Sequence, residues 1–352
     1  MDLFKQNNFD LVRLVAAAQV MVFHALVHLQ VPAGALRVAV SQLPGVPAFF
    51  FISGLLISAS WERNADLRTY AVNRALRIFP ALYGVLLFSL LTLVVFYDRG
   101  LLAGNLGKLV LWSICQVTLL QDWNPDFLRG WGTGGVNGSL WTIPVELSFY
   151  AFIPLIYLAC RHWRNCTAVL LIVTALSFGI QIITYQFQHQ MPELLFKLII
   201  KTPLPWVGMF CCGILAQRFL PKLHPLVAGR LPRFLALYIA LAVLAWRFPV
   251  NGILRAHVNN MGIINFMALC ALVLSLAYSW PDLADRWLRR NDISYGVYIF
   301  HMPVINVFAH TGFNGWAAFS AAVAGSIGMA LGSWFLVEKP ALGLRHRMLY
   351  RR

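Results

Sequence analysis

Apolar runs of about twenty residues recur along the whole chain, and this is the length that a helix needs to cross a bilayer. Of the 352 residues, 59% are hydrophobic and only 12% are charged, with a mean hydropathy of +0.69. A soluble domain has about a quarter of its residues charged. Because helices satisfy their own backbone hydrogen bonds in lipid, the sequence predicts an all-α polytopic membrane protein.

Ten runs are candidate transmembrane helices, at 11–30, 43–60, 78–97, 140–160, 167–184, 204–220, 234–248, 261–280, 293–309 and 316–337. An eleventh run, 106–120, is shorter and contains Lys108. With a cytoplasmic N-terminus, 20 of the 28 lysines and arginines face the cytoplasm if this run does not cross, but only 11 do if it crosses. Positive-inside bias therefore predicts ten transmembrane helices, cytoplasmic N- and C-termini, and one short non-crossing helix near 106–120.

This topology predicts a single transmembrane domain over 7–345 and a basic cytoplasmic tail over 346–352. Residues 98–139 become a long outer segment with a short helix and the glycine-rich loop "RGWGTGGVNGS". Long loops are often functional, so the segment is either a lid over a site at the outer face or a plain connector.

The net charge of +15 does not indicate a nucleic-acid partner. The basic residues fall in short clusters between apolar runs, as cytoplasmic loops of membrane proteins do. The lipid bilayer is the partner that the sequence predicts. A third intramembrane histidine, His301, joins His24 and His28, but the three lack ligand spacing, so we expect no metal.

Arg13, His24 and His28 place ionisable groups inside the first apolar run. At about 100° per residue, Arg13 and His24 lie within about 20° of each other on one helix face and ~16 Å apart along its axis. His28 follows one turn later. A lone buried histidine is usually a core residue, but the aligned arginine and second histidine leave a core role and a functional role equally open.

Glu146 is the acidic residue of "SLWTIPVELSFY". In the ten-helix topology it lies ~9 Å below the outer membrane boundary, and His24 lies ~10 Å below it. This equal depth predicts a His24–Glu146 pair. Tyr150 lies one turn past Glu146 on the same face, and Trp141 is a typical interfacial aromatic residue.

Two further motifs lie near the second and third runs. In "FFFISGLLIS", Ser53 and Gly54 offer a small surface on which helices can pack closely. In "NRALRIFP", Arg74 and Arg77 share a face at the entry of the third helix, with Pro80 in its first turn. Their guanidinium groups either bind phosphates or anchor the helix at the cytoplasmic boundary.

Taken together, these motifs resemble the membrane-bound acyltransferase family 3, a family of integral membrane O-acyltransferases. In chain order they are Arg13 with ten residues before His24, "FFFISGLLI", Arg74-x-x-Arg77 before "IFP", "LWTIPVELSFY", "SYGVYIFHMPV" and "VEKP". The resemblance covers about 7–345, and six motifs in the same order are specific although each alone is weak.

The resemblance implies ten spans and transfer of an acyl group, usually acetyl, from cytoplasmic acyl-CoA. The acceptors would be hydroxyls of glycans, lipid-linked sugars or small metabolites. It also implies that His24, Arg13, Arg74 and Arg77 are essential. The chain departs from the common pattern in having "SGLL", where an aromatic residue often follows the glycine, and in having no appended hydrolase-like domain.

These observations give a hypothesis for the chemistry. His24 acts as general base on the acceptor hydroxyl, since imidazole titrates near neutral pH. Glu146 either orients His24 or holds acceptor hydroxyls, and the three arginines bind the phosphates of CoA. Trp141, Tyr150, His301 and Ser53 bind substrate or support the site. A covalent acyl-histidine route stays open.

The alternative is a proton-coupled transporter of a sugar or metabolite, with the buried histidine, glutamate and arginine residues as a proton relay. Helices broken at Pro47, Pro144 and Pro303 would suit that function.

Overall fold

The computed structural model describes residues 3–4, 6–159, 163–250, 252–257, 259–280, 282–289 and 291–350. Its helices are α1 (Phe9–His28), α2 (Gly34–Ser41), α3 (Gly45–Arg63), α4 (Leu67–Phe96), α5 (Arg99–Gly104), α6 (Leu106–Gln116), α7 (Thr142–Ala159), α8 (Trp163–Gln186), α9 (Glu193–Ile200), α10 (Val207–Arg218), α11 (Leu220–Val227), α12 (Leu231–Arg247), α13 (Ile263–Tyr278), α14 (Leu283–Leu288), α15 (Ser294–Thr311), α16 (Gly315–Ser333), α17 (Lys339–Gly343) and α18 (Arg345–Tyr350).

Shorter elements complete the described structure. Asp126–Leu128 and Gly138–Trp141 are 3-10 helices, and Trp334–Glu338 is a π-helical turn that continues α16. The strands β1 (Ala256–His257) and β2 (Asn260–Met261) form a small antiparallel hairpin.

Each of the ten predicted apolar runs overlaps a helix, and the prediction of an all-α membrane protein is confirmed. Within the described residues, six helical stretches are long and apolar enough to span a membrane, or seven if the bent pair α11 and α12 counts as one span. The apolar helices α10 and α13 are shorter. The protein is thus a multi-pass membrane protein, and the count of ten spans stays a prediction.

The predicted start of the third transmembrane helix was wrong. Helix α4 begins at Leu67, because the Asp66 side chain caps it by accepting a 2.7 Å hydrogen bond from the backbone N–H of Thr69. Asp is among the preferred N-cap residues. Pro80 therefore lies inside α4, and Arg74 and Arg77 lie along the helix instead of at its entry.

The three prolines proposed as helix breaks do not interrupt their helices. Pro47 and Pro144 are the third residues of α3 and α7, where the first-turn N–H groups lack helical partners anyway. Pro303 lies within α15, which continues on both sides of it. The broken helices that would favour a transporter are therefore absent at these described positions.

The chain divides into two compact units. The first comprises Met1–Ala16, Ala39–Ala65 and Val145–Asn291. In it α3 and α10 cross closely at two glycines: a Cβ atom at Gly54 would lie 2.0 Å from the carbonyl oxygen of Phe210, and one at Gly213 would lie 2.0 Å from that of Phe51. The interpretation of Gly54 as a close-packing residue is confirmed.

The second unit comprises Ala17–Val38, Asp66–Pro144 and Asp292–Arg352. Helix α15 packs against α4 and α16 and is almost entirely buried along Ser294–Asn306. The glycine-rich segment is fixed to it through Asn306. The Asn306 amide accepts from Thr133 N–H at 2.9 Å and donates to the carbonyls of Gly135 and Val136 at 2.8 and 2.9 Å.

Candidate active site

His24 of α1 and His301 of α15 form a direct contact in the second unit. His24 Nδ1 lies 2.8 Å from His301 Nε2, and the rings are stacked with centroids 5.1 Å apart and an interplanar angle of 27°. The ring of His28 lies 5.7 Å from that of His24. His301 is completely buried, whereas His24 is partly exposed. The contact therefore joins one fully buried histidine to one that is partly exposed.

His301 and its neighbour Tyr298 are hydrogen-bonded to their surroundings. Its Nδ1 lies 3.3 Å from the carbonyl oxygen of Val297, one turn earlier in α15. The neighbouring Tyr298 hydroxyl lies 2.9 Å from Thr142 Oγ1 and donates to the Ser139 carbonyl at 3.2 Å. Both ring nitrogens of His301 are thus engaged, one by a backbone carbonyl and the other by His24.

In the first unit, Glu146 forms hydrogen bonds with two of the other predicted site residues. Its Oε1 accepts hydrogen bonds from the Tyr150 hydroxyl at 2.5 Å and from Ser53 Oγ at 3.3 Å. The Tyr150 contact follows from the one-turn spacing on α7. Both donors use the same oxygen, and an ionised carboxylate has a second oxygen with acceptor capacity.

The predicted contact between His24 and Glu146 stays a prediction. The two residues belong to different compact units of the chain. Sequence spacing did not predict that His301 would contact His24. The two histidines are 277 residues apart, and no helical period relates them.

Arg77 lies in a cluster of buried charges in the second unit. Its Nη2 donates to Asp292 at 2.6 Å, and its Nη1 lies 3.5 Å from Glu338. Only 14% of the Arg77 side chain is exposed, against 12% for Asp292 and 2% for Glu338. The rings of Tyr295 and Trp334 each lie 5.8 Å from the guanidinium carbon.

Both carboxylates are themselves held in place. Asp292 Oδ1 accepts from the N–H of Ser294 at 3.1 Å and from its hydroxyl at 2.5 Å, at the start of α15. Ser333 donates to Glu338 at 2.9 Å, across the π-helical turn. π-helical turns are frequent at functional sites. The cluster fixes α4 to the start of α15 and the end of α16.

Sequence reasoning missed Asp292 and included Glu338 only as part of the motif "VEKP". A usable signal was present, because an arginine inside a membrane segment often pairs with an acidic residue. The chain has only 13 aspartates and glutamates, so few residues could be that partner.

The remaining predicted residues lie on the expected elements. Arg13 is partly buried in α1, the helix that also carries His24, and Arg74 lies one turn before Arg77 in α4. Trp141 is partly buried at the end of the 3-10 helix that precedes α7.

The long apolar helices are those of a multi-pass membrane protein, and each of the two units carries buried ionisable side chains. A family model described as acyltransferase domain, that of acyltransferase family 3, matches residues 6–338. The chain belongs to this family, as its motifs predicted, and it is an acyltransferase.

Three relatives illustrate the range of the family. The chain is 32% identical to nodulation protein 10 of Rhizobium leguminosarum bv. viciae, over 99% of this chain and 96% of the relative. It is 27% identical to an O-acetyl transferase of Shigella phage Sf6, over 95% and 96% of the two chains. It is 24% identical to the peptidoglycan O-acetyltransferase OatA of Listeria monocytogenes, over 75% of this chain and 45% of the relative. No solved structure matches the chain.

Proposed function

We propose that this protein transfers an acyl group, acetyl in the first instance, from cytoplasmic acyl-CoA to a hydroxyl of a glycan, a lipid-linked sugar or a small metabolite. The observation that carries the proposal is the contact between partly exposed His24 and buried His301 in a chain of the acyltransferase family. Of the three relatives reported above, two are named O-acetyltransferases, and one of these two names specifies peptidoglycan.

The reaction is a direct transfer with His24 as general base. His24 takes the proton of the acceptor hydroxyl as the oxygen attacks the thioester carbonyl. The new C–O bond forms, the C–S bond breaks, and the thiolate of CoA receives the proton from His24. A positioned base of this kind contributes roughly 10²–10⁴ in rate.

The donor is held by arginines acting on the phosphates of CoA. A guanidinium matches phosphate oxygens with paired N–H donors. Arg13 lies on the same helix as His24, and the ~16 Å rise between them suits the extended pantetheine arm. Arg74 and Arg77 complete the set, but a phosphate at Arg77 has to share the guanidinium with Asp292 and Glu338.

Of the two roles considered for Glu146, holding acceptor hydroxyls is the better supported. The Nδ1 atom of His24, which an orienting carboxylate would need, is already in contact with His301. Tyr150 and Ser53 bond to one oxygen of Glu146, and the other can accept from a sugar hydroxyl.

We place the protein in a membrane with ten spans and both termini in the cytoplasm, and with 106–120 outside the membrane core. The charge distribution supports this topology. Of the three relatives reported above, two come from bacteria and one from a bacteriophage, which supports a bacterial cell membrane, and we propose the inner membrane as its location.

The test is release of free thiol from acetyl-CoA by the protein in lipid nanodiscs, with a membrane extract as the source of acceptor. We expect release by the wild type and by His189→Ala, which alters an exposed histidine, and none by His24→Ala. Equal release by His24→Ala would contradict the role of His24. No release by any variant would contradict acyl-CoA as donor and favour a transporter.

A further inference from the structure

We propose that His301 is a positioning residue: it fixes the tautomer of His24 and thereby makes Nε2 of His24 the atom that takes the acceptor's proton. This inference rests on the proposed function. It specifies the reacting atom and assigns to a buried histidine the orienting role that an acid usually has.

The contacts of His301 determine which of its ring nitrogens carries the proton. A carbonyl oxygen can only accept a hydrogen bond, so the 3.3 Å contact with Val297 requires a proton on Nδ1 of His301. A charged imidazole buried in apolar surroundings is costly unless it is paired. The contacts described for His301 include His24, the Val297 carbonyl, the ring and backbone of Tyr298 and an electrostatic interaction with His28, and none of these groups is anionic. The neutral form with its proton on Nδ1 satisfies them.

The tautomer of His301 in turn determines the tautomer of His24. A neutral His301 with its proton on Nδ1 has an unprotonated Nε2, which acts as an acceptor. The 2.8 Å contact then requires His24 Nδ1 to be the donor. A neutral His24 that carries its proton on Nδ1 has its lone pair on Nε2. The carbonyl of Val297 therefore determines, through His301, which nitrogen of His24 is basic.

The hydrogen bond between His24 and His301 becomes stronger during the reaction. When Nε2 of His24 accepts the proton of the acceptor hydroxyl, the ring becomes an imidazolium. Its Nδ1–H bond to His301 then becomes charge-assisted, and such bonds are roughly twice as strong as neutral ones. The same proton leaves Nε2 for the thiolate of CoA, and both histidines return to their starting tautomers. No other group gains or loses a proton.

The orientation of His301 is set by packing. The histidine is completely buried, and α15 lies so close to α16 that a Cβ atom at Gly296 would be 3.0 Å from the Cα of Ala330. Tyr298 and Asn306 tie the same helix to the segment that precedes α7. Packing therefore holds the ring in the orientation that places Nε2 against His24.

The kinetic test compares His301→Leu with His301→Gln in nanodiscs, with His189→Leu as control. The leucine removes the acceptor, whereas the glutamine carbonyl can replace Nε2. We expect His301→Leu to lower kcat for thiol release by roughly 10²–10⁴-fold, with KM for acetyl-CoA within about threefold of the wild type. We expect kcat of His301→Gln to be at least tenfold higher than kcat of His301→Leu. Unchanged kcat in the leucine variant would overturn the proposal.

A spectroscopic measurement keeps the proposal testable if the leucine variant does not fold. The ¹⁵N shifts of labelled histidine distinguish the two neutral tautomers, and the His24 signals are assigned by their loss in His24→Ala. We expect His24 of the wild type to carry its proton on Nδ1, and a proton on Nε2 would overturn the proposal. The spectrum needs no turnover, so a failure of the acyltransfer proposal is distinguishable from a failure of this one.

Discussion

At the scale of single residues, two carboxylates surround the guanidinium of Arg77. Replacing Arg77 with alanine leaves Asp292 and Glu338 buried without their cation. Breaking a buried ion pair from one side typically costs about 3–5 kcal/mol, because the remaining charge stays desolvated. We expect Arg77→Ala to lower the free energy of unfolding by about this amount, measured by denaturation in detergent without acyl-CoA.

The control is Arg129→Ala. Arg129 pairs with Asp126 at 3.0 Å, but 70% and 90% of their side chains are exposed. Exposed pairs contribute roughly 0–1 kcal/mol, so the control should unfold almost as the wild type does. An Arg77→Ala variant of wild-type stability that no longer binds acetyl-CoA would contradict the structural role and assign Arg77 to phosphate binding.

Glu146 gives a second prediction at this scale. Glu146→Gln keeps an oxygen for Tyr150 and Ser53 but loses the charge that favours a sugar hydroxyl. We expect the acceptor concentration at half-maximal rate to rise about tenfold or more, with KM for acetyl-CoA unchanged. Thiol release with graded membrane extract measures both. Glu193→Gln, at an exposed residue paired with Lys197, is the control, and a selective rise in KM for acetyl-CoA would contradict the assignment.

Local spacing was informative for residues that share a helix and uninformative for the rest. The Glu146–Tyr150 contact follows from a spacing of four residues on one helix. The contacts of His24 with His301 and of Arg77 with Asp292 join residues 277 and 215 positions apart. Such pairs form when helices that are distant in sequence pack together, and no helical periodicity in a single sequence predicts them.

At the scale of elements, the crossing of α3 and α10 depends on Gly54. A methyl group there would lie 2.0 Å from a backbone oxygen of Phe210, which cannot move without shifting α10. Overpacking typically costs about 1–3 kcal/mol. We expect Gly54→Ala to lower the free energy of unfolding by at least this much, as measured by denaturation in detergent.

Gly179→Ala is the matched control in the same unit. Gly179 lies within α8, and a Cβ atom there would meet nothing within 4 Å. Alanine is a better helix former than glycine by about 1 kcal/mol, so this variant should be as stable as the wild type or more so. Equal effects of the two substitutions would contradict the close crossing.

The start of α4 shows why element boundaries were harder to predict than elements. The apolar run begins near residue 78, and hydrophobicity alone places the helix start there. The helix continues for eleven residues on the N-terminal side of that run, through a polar stretch that membrane burial does not require. Asp66, followed by Thr69, was the sequence signal for the true start.

At the scale of the whole molecule, composition identified the class of protein, whereas the number of spans needs experiment. Helix α10 has twelve residues, a length of ~18 Å against a membrane core of about 30 Å. It is nevertheless one of the most buried helices in its unit. Helix length alone therefore does not decide which elements cross, and the ten-span topology needs a direct measurement.

Reporter fusions provide that measurement. Alkaline phosphatase, which is active only outside the cytoplasm, is fused after residue 104 and after residue 124, on either side of α6. We expect both fusions to be active and a fluorescent-protein fusion at the C-terminus to fluoresce, since positive-inside bias keeps 106–120 from crossing. Activity on only one side of α6 would show that it crosses and would contradict the ten-span topology.

The most direct test of His24 as general base measures acetyl-CoA binding and thiol release together in His24→Ala. We predict that this variant binds acetyl-CoA with wild-type affinity, because the arginines hold the donor, and that its release falls to background. Loss of binding in a folded His24→Ala protein, or thiol release at the wild-type rate, would contradict the account.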